Sequence, residues 1–168
     1  MKQTPPPSAV AIPLADAQAT TALAEWLAPR LAAGDCLLLH GPIGAGKTHF
    51  ARAVIQHLQA AHGAVEEVPS PSFTLVQTYQ AGPLEIFHCD LYRLTAADEV
   101  LELGLDEALA SALCLIEWPD RLGSAIPADA LLLTFSPTPD DSRMLLATAT
   151  APRWQGVLAD MGGWHDGI

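Results

Sequence analysis

Residues 41–48 read Gly41-Pro42-Ile43-Gly44-Ala45-Gly46-Lys47-Thr48 and match G-x-x-x-x-G-K-[ST] at every fixed position. Upstream, residues 36–39 are an apolar run short enough for a buried strand. Downstream, apolar residues recur at helical spacing: Phe50, Ala51, Val54, Ile55 and Leu58. Glycines let successive backbone N–H groups turn towards a phosphate, and the positive end of the following helix points to the same place. The stretch therefore predicts a strand, a phosphate-binding loop and a helix.

Each part of this loop has an expected contact with a nucleotide. Lys47 would reach the β- and γ-phosphates as a point charge, and the Thr48 hydroxyl would bind Mg²⁺. The remaining contacts would come from the rest of the loop and the next residue of the helix: Gly41, Gly44, Ala45, Gly46 and His49. The alternative is a glycine-rich turn that carries a lysine by chance. The flanking strand and helix favour the nucleotide site.

Charge and cysteine content limit the classes of function. The chain has 168 residues, and no apolar run approaches the roughly 18 residues typical of a membrane span. Its formal net charge of −11 would repel bare nucleic acid and anionic membranes. Cys36, Cys89 and Cys114 lie in apolar stretches at no metal-binding spacing, which is typical of buried thiols in a reducing compartment. We therefore predict a cytoplasmic protein without a membrane partner, and a protein partner remains open.

The chain is expected to divide into three segments. Residues 1–8 are rich in proline and predicted to be disordered, residues 9–150 form the nucleotide-binding domain, and residues 151–168 are a tail that is hard to place. Strands alternating with helices around a phosphate loop predict an α/β, three-layer P-loop NTPase fold. A hairpin over residues 75–90 makes the predicted central sheet mixed, though mostly parallel. The predicted strands cover residues 9–12, 36–39, 75–79, 84–90, 113–117, 130–135 and 143–149.

Two acidic residues stand where predicted strands end. Ligands of such folds bind beyond the carboxyl ends of the strands, so Asp90 and Glu117 are candidate catalytic groups. Asp90 would hold a Mg²⁺ water or orient the attacking water, and Glu117 would bind the metal or activate water. Either acid alone is equally typical of a turn or an exposed strand end. His88 would share the face of Asp90. A hydrogen bond from His88 could orient nearby groups, but we expect the ring simply to pack in the core.

Ser72 and Thr74 follow the predicted phosphate-loop helix. A switch segment approaches the γ-phosphate at this place in some phosphate-loop enzymes, so both residues are switch candidates. The alternative is ordinary turn chemistry, because serine and proline are common in turns.

Four motifs occur in a fixed order: Gly-x-x-Gly-Ala-Gly-Lys-Thr, Ser-Pro-Ser-Phe-Thr-Leu-Val, His-x-Asp-Leu-Tyr-Arg-Leu and Ile-Glu-Trp-Pro. Together they resemble the TsaE family, small bacterial ATPases required for the threonylcarbamoyladenosine modification of tRNA. The resemblance covers residues 10–150. The phosphate loop alone is shared by a superfamily, whereas the last two motifs are far more specific.

The resemblance assigns roles to matching residues. Lys47 and Thr48 match the phosphate lysine and the magnesium threonine, and Asp90 matches the strand-end aspartate. Glu117 matches a magnesium-associated glutamate beside the tryptophan that corresponds to Trp118.

Two further residues match positions thought to lie near the nucleotide, namely Thr20 and Arg143. Two departures stand out. Pro42-Ile43 replaces the usual acidic or amide residue and leucine, and Ser72 stands in place of the usual threonine, which keeps the hydroxyl but loses the methyl group.

The resemblance implies a Mg²⁺-dependent ATPase that works with a TsaD-like transferase and a TsaB-like subunit. ATP binding or hydrolysis would reset this complex between turnovers, with tRNA contacted only indirectly. Aromatic and arginine side chains are the usual anchors of interfaces, so we expect some of Tyr92, Arg93 and Trp118 to face the partner. The alternative is that Tyr92 and Trp118 pack in the core.

Three other functions were weighed. A small-molecule kinase usually has a lid with arginines, and the sequence has no arginine-rich segment. A GTPase would need an Asn/Thr-Lys-x-Asp motif, yet Lys2 and Lys47 are the only lysines. A nucleotide-dependent binding module with negligible turnover remains open.

Overall fold

The computed structural model describes residues 8–94 and 99–164. Within these ranges, a sheet of seven strands is flanked by helices on both faces. Short 3₁₀ turns occupy residues 28–30, 119–125 and 152–154. The strands and α-helices are β1 (Ser8–Leu14), α1 (Ala17–Leu27), β2 (Cys36–His40), α2 (Lys47–Ala60), β3 (Val76–Ala81), β4 (Leu84–Asp90), α3 (Glu99–Glu102), α4 (Leu105–Ser111), β5 (Leu113–Glu117), β6 (Leu131–Pro137), β7 (Arg143–Ala149) and α5 (Gln155–Met161).

The strand order of the sheet is β1-β7-β6-β2-β5-β4-β3. The four neighbouring strands β6, β2, β5 and β4 are parallel. The outer pairs, β1 with β7, β7 with β6, and β3 with β4, are antiparallel. The predicted mixed α/β fold is confirmed, and the antiparallel pairs lie on both sides of a parallel centre.

Apolar side chains of the central strands form two clusters, one on each face of the sheet. Leu37 and Leu39 of β2 face the larger cluster, which α1, α2 and α5 cover. Cys36 and Leu38 of the same strand face the smaller cluster, beside α4. Parallel strands that are buried on both faces read as continuous apolar runs, which is why β2 and β5 were recognisable in the sequence.

The strand register brings the predicted site together at one edge. Asp90, at the end of β4, lies opposite Glu117, at the end of β5. Glu117 in turn lies opposite Leu39 of β2, just before the phosphate loop. The two acids and the loop therefore meet at the carboxyl ends of three adjacent parallel strands.

Several boundaries differ from the predicted ones. The sequence predicts a first helix over residues 17–31, with Pro29 disturbing its last turn. The helix ends at Leu27, and Pro29 lies in the 3₁₀ turn that follows. Pro13 does not end β1, since β1 is an edge strand and tolerates a residue without an N–H group. Ser8 begins β1. The other residues of the segment predicted to be disordered, 1–7, lie outside the described residues. So does the start of the short helix that the sequence predicts from Ala96 to Leu103.

Residues 152–161 pack against the sheet. Trp154 is fully buried in the larger cluster, and its indole N–H donates to the Asp129 carbonyl over 2.8 Å. Arg153 binds the Asp35 carboxylate with an N–O distance of 2.8 Å. These contacts fix the start of the tail that the sequence left unplaced.

The three cysteines are free and buried. Burial raises the pKa of the Cys36 and Cys89 thiols, and it raises that of Cys114 to about 12. The thiols therefore stay protonated and act as small apolar groups. None of the helices in the two described ranges has the length and apolar character needed to cross a bilayer.

Candidate nucleotide site

A cleft of about 680 Å³ opens where the phosphate loop meets the ends of β4 and β5. Pockets of this size accommodate small ligands and cofactors. Most of the predicted site residues line it: Thr20, Gly44, Gly46, Lys47, Thr48, His49, Ser72, Asp90, Tyr92, Arg93, Glu117, Trp118 and Arg143. Gly41, Ala45 and Thr74 are not among its lining residues.

The backbone of the phosphate loop explains why Gly41 lies behind the cleft rather than in its wall. Gly41 has a φ of 151°, and a Cβ there would stand 2.6 Å from the Phe135 carbonyl oxygen. Gly46 has a φ of 105° and precedes α2, whose first turn has no side-chain cap. The free N–H groups of that turn suit an anion.

Lys47, the residue expected to bind the phosphates, is buried beneath the phosphate loop. Its ammonium group donates to the carbonyls of Gly41 and Pro42, the latter over 3.2 Å, and lies 3.8 Å from the centre of the Trp118 ring. Burial lowers the pKa of Lys47, and nearby carboxylates offset part of that shift. A cation with so little solvent around it gains strongly from an anionic ligand.

Glu117 joins the phosphate-loop helix to the strand beside it. The Thr48 hydroxyl lies 2.8 and 3.0 Å from the two carboxylate oxygens of Glu117. On the other side, Nε2 of His88 lies 2.7 Å from one of these oxygens. The expectation that His88 only packs in the core is therefore wrong, because the fully buried ring contacts a site carboxylate.

Asp90 is held by a different set of donors. Its two oxygens accept hydrogen bonds from the Tyr92 N–H over 3.0 Å and from the Ser72 hydroxyl over 3.2 Å. The Ser72 hydroxyl also lies 2.7 Å from that of Ser70. The switch candidate Ser72 thus contacts a candidate catalytic acid, whereas Thr74 accepts from Gln77 on the surface.

Three further predicted residues brace the edges of the cleft. Arg143 donates to the Gly44 carbonyl over 3.1 Å, so it steadies the tip of the phosphate loop. Nε2 of His49 lies 2.7 Å from the Thr21 hydroxyl, which connects α2 to α1. The Thr20 hydroxyl donates to the Asp16 carbonyl over 3.4 Å.

Comparison with known proteins identifies the family. The sequence model of the family described as "Threonylcarbamoyl adenosine biosynthesis protein TsaE" matches residues 14–145. The chain belongs to the TsaE family.

Relatives named "tRNA threonylcarbamoyladenosine biosynthesis protein TsaE" cover most of the chain. The protein of Rickettsia bellii is 38% identical over 125 residues, which are 74% of this chain and 85% of the relative. The protein of Bacillus subtilis is 34% identical over 150 residues, which are 89% and 90% of the two chains. The crystal structure of Bacillus subtilis YdiB superposes with a TM-score of 0.76 at 29% identity, covering 96% of this chain and 99% of that one.

As a member of the TsaE family, the protein has a P-loop-type ATPase fold with a nucleotide-binding site.

Aromatic residues stand at the open side of that site. Trp118 follows Glu117 with a φ of 59°, a backbone conformation that non-glycine residues rarely adopt. Its ring lies 4.9 Å from that of Tyr92, which is 46% exposed.

Sequence analysis missed two residues at this open side. Phe73 is 85% exposed, and Arg93 donates to its carbonyl over 2.9 Å. Ile43, at the tip of the phosphate loop, is 76% exposed. Both were in motifs already singled out, and the signal available was an apolar residue in a polar or glycine- and proline-rich loop. The solvent exposure of these two side chains could not be predicted from the sequence.

Proposed function

We propose that the protein binds and hydrolyses ATP with Mg²⁺ as a subunit of the machinery that makes N6-threonylcarbamoyladenosine in tRNA. The observation that carries this proposal is the meeting of the phosphate loop, Asp90 and Glu117 in one cleft. The pathway follows from the names of relatives that match most of the chain.

The side-chain oxygens next to the phosphate loop are of the kind that binds Mg²⁺. Thr48 and Glu117 present hydroxyl and carboxylate oxygens within hydrogen-bond distance of each other. Within the described ranges, no three His, Cys, Asp or Glu side chains cluster as a protein-only metal cage. Mg²⁺ commonly binds through one or two protein oxygens together with waters and phosphates, so Thr48 and Glu117 would hold it. When bound, the ion would neutralise charge on the phosphates.

The remaining groups have separate roles in hydrolysis. Lys47 would bind the phosphate oxygens, and the N–H groups of the loop would fix their position. Asp90 would accept a hydrogen bond from the attacking water, whose oxygen bonds to the γ-phosphorus while the bond to the ADP oxygen breaks. The Ser72 and Tyr92 donors hold Asp90 in place for that task.

The nucleotide state would be sensed by protein partners, a TsaD-like transferase and a TsaB-like subunit. The exposed side chains beside the site provide a surface for such a contact: Phe73, Tyr92 and Arg93. A net charge of −11 favours indirect rather than direct action on tRNA. We infer that hydrolysis resets the complex in the cytoplasm, rather than transferring the carbamoyl group.

Phosphate release with and without the partner complex tests this function. We expect slow release by the protein alone and faster release with the partners, both requiring Mg²⁺. Lys47→Ala is the control, because losing a charge-assisted contact of about 1.5–3 kcal/mol should lower ATP affinity roughly ten- to hundredfold. A wild-type rate that the partners leave unchanged would favour a kinase, and tight binding without turnover would favour a binding module.

A further inference from the structure

His88 is a buried polar residue that touches the site without lining it. It lies on β4, two residues before Asp90, and its side chain is fully buried. It is absent from the residues that line the cleft. His88 therefore cannot touch a nucleotide, and any effect on the site must pass through a neighbour.

That neighbour is Glu117. Nε2 of His88 lies 2.7 Å from a carboxylate oxygen of Glu117, and an ionised carboxylate only accepts hydrogen bonds. We therefore assign Nε2 as the donor of this hydrogen bond. Glu117 consequently has two donors, His88 from the protein interior and Thr48 from α2.

A bound ligand would affect the two hydrogen bonds to Glu117 differently. Thr48 lines the cleft, so the same hydroxyl that holds Glu117 would also be needed by a bound cation. His88 is shielded from the cleft, and its hydrogen bond does not compete with the ligand. Such a contact would keep the orientation of the Glu117 carboxylate when a ligand binds.

Packing does not explain a histidine at this position. In the described part of the chain, Nδ1 of His88 has no hydrogen-bond partner although it is buried. An unsatisfied buried nitrogen is unfavourable, and an apolar side chain would avoid it. The ring forms a hydrogen bond only through Nε2. The contact with Glu117 therefore accounts for a histidine at this position.

We propose that His88 is a positioning residue, which orients the Glu117 carboxylate so that Glu117 and Thr48 together bind the divalent cation of the nucleotide. The inference rests on the proposed function. Partners that orient ligating side chains typically change metal affinity ten- to hundredfold when they are mutated.

Two amides of similar chemistry separate orientation from packing. His88→Gln places an amide N–H₂ close to the position of Nε2, whereas His88→Asn places it near Nδ1, too short to reach Glu117. Calorimetric titration of the full-length protein with ADP, at a series of Mg²⁺ concentrations and in EDTA, measures the effect without turnover. Melting temperatures confirm folding, and His88→Leu replaces the Asn variant if that one does not fold.

We expect wild type and His88→Gln to need similar Mg²⁺ for half-maximal tightening of ADP binding, within about threefold. His88→Asn should need roughly tenfold more or beyond, with its affinity in EDTA unchanged within about twofold. Equal shifts in both amides, no shift in either, or an equal loss of affinity in EDTA would overturn the role of His88. Wild type that binds ADP without any effect of Mg²⁺ would instead overturn the metal-dependent function itself.

Discussion

Asp90 and Glu117 lie side by side in the register of β4 and β5, yet different groups hold them. Glu117 is joined to Thr48, a residue of the phosphate-loop helix. Asp90 is joined to Ser72 and to the N–H of Tyr92, which belong to the segments at the open side of the cleft. This difference in partners supports our proposal that Glu117 has a metal-associated role and Asp90 a water-orienting role.

Substituting each carboxylate by its amide separates these roles. Glu117→Gln should make ATP affinity much less dependent on Mg²⁺, because the charged partner of the cation is lost. Asp90→Asn should bind ATP normally but hydrolyse it roughly a hundredfold more slowly, as expected for the loss of a general base or water-orienting group. Calorimetry and phosphate release measure the two effects. The reverse pattern would exchange the roles, and two wild-type results would remove both residues from the mechanism.

Sequence reasoning identified these two acids, but for His88 it favoured core packing over an orienting hydrogen bond. Asp90 and Glu117 each end an apolar run, so a strand and its end sufficed to find them. The contact of His88 with Glu117 depends on which strands are neighbours, and 29 residues separate the two in sequence. Nothing local in the sequence distinguishes His88 from a histidine that packs in the core.

The phosphate loop is seated against β6 as well as against α2. A Cβ on Gly41 would lie 2.6 Å from the Phe135 carbonyl oxygen, whereas a Cβ on Gly44 would meet nothing within 4 Å. Both glycines have a positive φ, 151° and 80°. The two positions therefore differ in the space around them, while both have backbone conformations that disfavour other residues.

Alanine substitutions at these glycines should have unequal effects on stability. Gly44→Ala should lower the free energy of unfolding by about 1–2 kcal/mol, the usual cost of a left-handed conformation. Gly41→Ala should cost roughly 3 kcal/mol or more, because the new methyl group also forces the loop away from β6. Urea unfolding at equilibrium measures both. Similar losses in the two variants would show that the contact with β6 does not constrain the loop.

The contacts of the C-terminal segment, residues 151–164, show how far the folded domain extends. The sequence predicts that the nucleotide-binding domain ends at residue 150 and is followed by a glycine- and tryptophan-rich tail that it leaves unplaced. In the structure, Trp154, Leu158 and Met161 belong to the same cluster as α1 and α2. The large apolar residues were visible in the sequence, but the surface that receives them is assembled only by the fold.

Trp154→Ala should destabilise the whole domain, by about 3–5 kcal/mol, since a fully buried ring is removed from the core. Trp164→Ala is a matched control in the same segment, because Trp164 is only partly buried, and we expect about 1 kcal/mol. Thermal and urea unfolding provide the comparison. If both variants unfold like wild type, the packing of residues 151–164 does not stabilise the domain.

The molecule is acidic as a whole, but basic and exposed aromatic side chains surround the cleft of its nucleotide site. Eight basic residues oppose 19 acidic ones, yet Lys47, Arg93 and Arg143 all line one cleft. The exposed aromatic residues Phe73 and Tyr92 stand at the same place. A stand-alone hydrolase needs no such side chains around its phosphates, whereas a protein whose nucleotide state is recognised by a partner does.

We therefore expect Tyr92, Arg93 and Trp118 to contribute to partner binding. Replacing an anchor residue by alanine typically costs about 2 kcal/mol or more, close to a thirtyfold loss of affinity. Binding to the transferase complex should be measured at saturating ATP·Mg²⁺, because Trp118 also contacts Lys47 and its loss will weaken nucleotide binding. Ile126→Ala is the control, since Ile126 is 45% exposed, much like Tyr92 at 46%, but does not line the cleft.

The pattern among the variants decides which face meets the partner. Weaker binding by at least one of the three cleft variants, with wild-type binding by Ile126→Ala, would place the partner at the nucleotide site. Melting temperatures exclude losses that come from unfolding, which matters most for Trp118 because it also packs against the smaller core cluster. If Tyr92→Ala, Arg93→Ala and Trp118→Ala all stay folded and bind as wild type does, the site does not face the partner. The nucleotide state would then have to reach the transferase through another surface.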